Sequence, residues 1–150
     1  MVAEMLTVVA VTGAGLTAGV LFCVAISLVP GFFALPASGY VEAHKLYGRY
    51  FDRIMPPIVV TTTVLTVMLA VRDQPGGSRP LFIVAALSLL GVSLVSQFGN
   101  VPINRAVKRL TADRVTYDWQ DPRPVWRTWH LLRTALALLA LVLLALAGAS

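Results

Sequence analysis

Residues 131–147 read LLRTALALLALVLLALA, and beyond Arg133 the one polar side chain is Thr134. A helix of that composition is apolar on every face, so it needs an apolar surround on every face. A bilayer supplies one: its hydrocarbon core, about 30 Å thick, takes about 20 residues of helix. Three more runs have the same character: Met5 to Val29, Ile54 to Val71 and Leu81 to Phe98. The second ends in Arg72-Asp73-Gln74-Pro75-Gly76-Gly77, a charged turn signal. The first lacks the basic lead-in of a cleaved signal peptide and is read as a retained span. The expected fold is all-α, an integral membrane four-helix bundle of one domain (1–150) with spans at about 5–29, 54–71, 81–98 and 131–147.

Composition agrees. The 150 residues are 57% hydrophobic and 13% charged, against about 25% charged in soluble domains. Too few polar residues remain to coat a globule in water. That sets aside a soluble protein, a disordered one and a nucleic-acid module, so no nucleic-acid partner is expected. The +5 net charge fits a membrane surface, because the bases lie between apolar runs. Ten of the twelve Lys and Arg residues fall in the segments after runs one and three, including the start of run four. Positive charge marks the cytoplasmic side. The expected placement is multi-pass in the plasma membrane, with both long loops inside and both termini outside. Cys23 is the only cysteine and lies in an apolar run, which leaves no disulfide framework.

The polar chemistry gathers in the two long inter-span segments. Pro30-Gly31 reads as a turn, and Ser38 as the N-cap of a helix leading into run two. On that helix His44, Tyr47 and Phe51 share one side, and Lys45, Arg49 and Arg53 form a neighbouring basic stripe. Pro56-Pro57 should kink or break it. After run three, Asn100 and Asn104 stand four residues apart, with Pro102 between them freeing the Phe98 carbonyl. Trp126, His130 and Arg133 then share one face where run four meets the membrane. Gly15-x-x-x-Gly19, flanked by Ala14 and Ala18, reads as a close helix–helix contact. The threonines at 61–63 and 66 can bond to their own helix backbone.

Each of these polar residues also has a plainer reading. Trp126 and Trp129 would serve as interfacial anchors, Arg127 and Arg133 would reach for lipid phosphates, and the asparagines would knit helices together. Ionisable side chains at a bilayer edge nevertheless usually face a cavity or a partner. Two histidines without chelating spacing make a weak metal set, so no metal site is expected, although haem or copper stays open.

Asn100-Val101-Pro102-Ile103-Asn104 followed by Trp126-x-x-x-His130-x-x-Arg133 resembles the signature of the anthrone oxygenase-like family of small four-span membrane proteins. The resemblance implies oxidation of a polycyclic aromatic anthrone to a quinone by O2, without bound flavin or metal, as tailoring of aromatic polyketides. It implies catalytic roles for His130, Arg133, Asn100 and Asn104. His130, with an ordinary pKa of about 6.5, would be the base. The other three would stabilise the developing oxyanion, about 3–4 kcal/mol per donor. Trp126, Tyr47, Phe51 and His44 would line the substrate pocket. The implied partners are the lipid bilayer, a hydrophobic aromatic small molecule and O2, and four short helices enclose so little space that a homo-oligomer is expected. The rival reading is a non-catalytic membrane scaffold or accessory protein. A small-molecule carrier is disfavoured, since no charge sits in mid-span.

Overall fold

The computed structural model describes residues 1–72, 77–111 and 119–149. Four long helices account for nearly all of them: α1 (Val2–Ala34), α2 (Ala37–Arg72), α3 (Arg79–Arg109) and α4 (Arg123–Ala149). All four are long and apolar enough to cross a membrane. Each packs against the next, and α4 closes against α1, giving a ring of antiparallel neighbours. The chain is thus all-helical, and its helices fit a multi-pass membrane protein.

The interior mixes a few large side chains, Leu89 and Leu144 among them, with many small ones. Of the small ones, Ala10, Ala14, Ala18, Ala85, Ala137 and Ala140 are fully buried. Other large ones point outward, among them Val8, Leu87 and Leu146. Lipid is as apolar as leucine, so burying a leucine gains little, whereas alanine faces let backbones approach. Helix α2 comes close to α1 at Gly13, where a Cβ would stand 2.1 Å from the Thr62 hydroxyl. Gly15 and Gly19 do not serve this way: a Cβ would meet only Leu141, at 3.9 Å, in the first case, and nothing within 4 Å in the second. The contact face instead follows Ala10, Ala14 and Ala18, a different side of the helix. Thr62, Thr63 and Thr66 bond back to the carbonyls of Ile58, Val59 and Thr62, as the sequence suggested.

Proline does less damage than expected. The chain stays helical through Pro30-Gly31 and through Pro56-Pro57. In α1 and α3 the helix widens into a π-helical stretch just before a Val-Pro pair. These stretches cover Val24–Leu28 and Ser96–Asn100. The valine N–H reaches back five residues, Val29 to Val24 and Val101 to Ser96, and the proline then follows where a missing N–H is tolerated. Single π turns recur at functional sites. Helix α2 begins at Ala37, one residue before the expected cap Ser38. The stretch after run one is mostly helix, as the lead-in read from Ser38 onward implied, and joins α1 through Leu35 and Pro36. Arg114 and most of the segment after Thr111 lie outside the described residues.

Candidate functional site

The second half of α1, the first half of α2, the end of α3 and the start of α4 meet at one end of the bundle. There they enclose a cavity of about 200 Å³. A single water needs about 10–15 Å³ on the same measure, so this is room for a small molecule. The walls are largely apolar, with Leu21, Val24, Phe32, Met55, Val59 and Val92 contributing. The polar groups reaching the wall include His44, Asp52, Ser93, Ser96, Gln97, Asn104, Trp126 and Arg133.

Helix α4 starts at Arg123, whose guanidinium is held by Asp121 and donates to the carbonyls of Phe32 and Leu35 at 2.8 Å each. This ties the start of α4 to the end of α1, where carbonyls lack helical partners. Burial alone would raise the Asp121 carboxyl, but the hydrogen bonds and charge of Arg123 outweigh it and hold the group below its ordinary value. Lys45 performs a similar service, donating to the Leu110 carbonyl just past the end of α3. Lys108 of α3 pairs with Asp52 of α2 across the cavity's rim.

With these ends fixed, Trp126, His130 and Arg133 do face inward together. The Trp126 and His130 rings stack with centroids 5.1 Å apart and planes 9° apart. His130 is fully buried. Its Nε2–H donates to the Leu21 carbonyl at 3.0 Å, at the lip of the first π-helical stretch. A carbonyl can only accept, so Nε2 carries the proton and Nδ1 is the acceptor. Nδ1 takes the Arg133 guanidinium, from Nε at 3.1 Å and Nη2 at 2.8 Å. Arg133 Nη1 donates onward to the Ser96 hydroxyl at 3.3 Å. Arg133 thus keeps N–H groups to spare on the cavity wall. Among the described residues no carboxylate forms an ion pair with it, and Asp52 on the same wall is engaged by Lys108.

Asn104 gathers a second set. Its Oδ1 accepts the Trp126 indole N–H at 2.8 Å and lies 3.1 Å from His44 Nε2. Asn100 is fully buried and gives its Nδ2–H to the Trp126 carbonyl at 3.1 Å. The sequence grouped Asn100 with Asn104 and His130 as residues meeting the substrate. Of these, only Asn104 lines the cavity; Asn100 and His130 stand behind the wall and hold Trp126 and Arg133. The reason lies in their partners: the Trp126 carbonyl takes the Asn100 amide, and the Leu21 carbonyl takes one nitrogen of His130. Gly99 lets α4 close in at that point, since a Cβ there would sit 2.6 Å from Trp129.

His44, Tyr47 and Phe51 all reach the cavity, as their shared helix side implied. His44 is buried, whereas Tyr47 and Phe51 are 45% and 37% exposed at the mouth. The sequence reading passed over Phe32, which packs against the rings of Tyr40, His44 and Trp126 at 5.4–6.0 Å. It also passed over Arg123, whose neighbour Asp121 was the available signal. Among the described residues no three of His, Cys, Asp and Glu come together as a metal site.

No curated protein and no solved structure matches the chain. The anthrone oxygenase family model does, over residues 43–143, a stretch that carries His44, Asn100, Asn104, Trp126, His130 and Arg133. A match over two thirds of the sequence, on a four-span bundle whose cavity is lined mostly from that same stretch, means that this chain belongs to the anthrone oxygenase family.

Proposed function

We propose that the protein is a membrane-embedded oxygenase that oxidises a polycyclic aromatic, anthrone-like metabolite to its quinone without a bound cofactor. The observation that carries this reading is the cavity: largely apolar, with the buried Arg133 guanidinium, which forms no ion pair among the described residues, on one wall. A scaffold that only knits helices together would fill such a space. The reaction balances with oxygen alone. A ring CH2 loses a proton, the resulting carbanion is delocalised as a phenolate-like oxyanion, and that anion reduces O2 and bonds to it. Loss of water from the hydroperoxide leaves C=O, so CH2 and O2 become C=O and H2O.

Arg133 is the natural receptor for the oxyanion, because its unused N–H groups border the cavity and a buried cation is most stable with an anion beside it. His130 and Ser96 hold the guanidinium in place. Trp126 and Phe32 supply flat walls, and Tyr47 and Phe51 flank the mouth. Polycyclic substrates partition into lipid, which suits a cavity at the end of a membrane bundle. The charge bias supports a cytoplasmic position for this end in the plasma membrane, with both termini outside. Aromatic polyketide tailoring is the metabolic setting that such a substrate implies.

The test is oxygen uptake by the purified protein in lipid nanodiscs, with anthrone and 1,8-dihydroxyanthrone as probes. The expected result is one O2 consumed per quinone formed, above the rate of empty nanodiscs. No enhancement with either probe would overturn the proposal.

A further inference from the structure

We infer that the outer face of the α2–α3 seam binds the headgroups of anionic phospholipids through Arg49, Arg53, Arg105 and Arg109. This surface lies at the end of the bundle that holds the cavity, and its role does not depend on the oxygenase reading. The starting point is the ion pair that bridges the two helices there, Asp52 of α2 with Lys108 of α3.

Both partners stand on regular α-helix, where each residue turns about 100°. Arg49 precedes Asp52 by three residues and Arg53 follows it by one, so both lie about 60–100° round the helix from Asp52, in the same sense. Arg105 and Arg109 stand in the same relation to Lys108. The helices are antiparallel neighbours. Viewed down the bundle, one right-handed helix winds clockwise and the other counter-clockwise. Starting from a bridge where they face each other, both windings carry the arginines to the same side of the seam. All four arginines are exposed, so that side is the outside. Numbers rise toward the membrane in α2 and away from it in α3. Arg53 and Arg105 therefore lie on the membrane side of the bridge, and Arg49 and Arg109 beyond it.

None of the four forms an ion pair among the described residues, and the carboxylate beside them, Asp52, is taken by Lys108. Like charges four residues apart on a helix repel, and here two such pairs share one face. Anions from outside the chain relieve that repulsion, and a bilayer supplies them at this depth. The apolar run of α2 begins at Ile54, directly after Arg53, so the patch starts where hydrocarbon gives way to headgroups. Tyr47 and Tyr50, 45% and 58% exposed, stand at the same level, where aromatic side chains gather at membrane interfaces. The Arg49 guanidinium lies 5.8 Å from the centre of the Tyr50 ring. A headgroup with net negative charge neutralises such a face, whereas phosphatidylcholine brings a cation of its own with each phosphate. The opposite end of the bundle has only Arg72 and Arg79, so the preference belongs to this surface.

The experiment is native mass spectrometry of the full chain in detergent, with equal amounts of dioleoylphosphatidylglycerol and dioleoylphosphatidylcholine, together with thermal unfolding of the same samples. A basic side chain beside an anionic membrane is worth about fivefold in binding. The expected result is at least tenfold more phosphatidylglycerol than phosphatidylcholine on the parent protein. The ratio should fall below threefold in the variant carrying Arg49→Gln, Arg53→Gln, Arg105→Gln and Arg109→Gln, and should stay at the parental value in Arg72→Gln/Arg79→Gln. Phosphatidylglycerol should raise the melting temperature of the parent, and inorganic phosphate at the same concentration should not. Equal binding of the two lipids by the parent, a preference that survives in the four-site variant, or an equal loss in Arg72→Gln/Arg79→Gln would overturn the inference. So would protection by inorganic phosphate alone, which marks a free-anion site, or tighter binding of polyglutamate than of phosphatidylglycerol, which marks an acidic protein partner. Should the four-site variant not fold, the pairs Arg49→Gln/Arg53→Gln and Arg105→Gln/Arg109→Gln are measured separately, and a parental ratio in both would overturn it.

Discussion

The Arg133 guanidinium donates two N–H groups to one nitrogen of His130, three residues earlier on the same helix. That pairing makes His130 neutral and spent, and makes Arg133 a fixed cation on a cavity wall. Replacing Arg133 by Gln preserves a donor for His130 and removes the charge. The expected outcome is a fall in kcat of about 10²–10³-fold, with the melting temperature held or raised, because an unpaired buried cation is itself costly. Oxygen uptake and thermal unfolding in nanodiscs measure the two effects separately.

Trp126 joins both polar sets, stacking on His130 and donating to Asn104. Trp126→Phe keeps an aromatic surface and deletes the N–H. Stability should drop by about 1 kcal/mol, and kcat by about tenfold with KM nearly unchanged, since the amide of Asn104 is then free to turn. A KM rise with constant kcat would instead mark Trp126 as a binding surface alone.

The two close-packed glycines should separate cleanly from Gly19. Gly13→Ala and Gly99→Ala force a Cβ to within 2.1 Å of Thr62 and 2.6 Å of Trp129, and each should cost about 1–3 kcal/mol. Gly19→Ala meets nothing within 4 Å and should be neutral or stabilise the helix by about 0.5–1 kcal/mol. Thermal melts of the three variants give the ranking directly.

Acid should loosen the join between α1 and α4. The folded-state pKa of Asp121 lies below its ordinary 3.8, because Arg123 outweighs the effect of burial. A carboxyl with a depressed folded value contributes stability that is present above its ordinary pKa and disappears as pH falls through the lower folded one. Asp121→Asn should therefore reduce stability near neutral pH by about 1 kcal/mol or less, given the pair's partial exposure. It should also flatten the decline of melting temperature below pH 4. An unchanged acid profile would show that Arg123 holds α1 unaided.

The sequence by itself determined that this is a helical membrane protein with four spans, because four all-round apolar runs admit hardly any other stable solution. It also determined which end carries the polar chemistry, since His44, Asn104, Trp126 and Arg133 all lie in inter-span segments or at the edges of the apolar runs. Helical spacing was enough to group His44 with Tyr47 and Phe51, and Trp126 with His130 and Arg133. Only the tertiary structure decided which member of each group meets the cavity. The Trp126 carbonyl takes the Asn100 amide, and the Leu21 carbonyl of another helix claims one nitrogen of His130. The Trp126 indole dictates how the Asn104 amide is turned, and through it which nitrogen of His44 is bare. Periodicity reports the face on which a residue stands along its own helix. Which lone pair stays free depends on donors from other helices, and that information exists only once they are packed together.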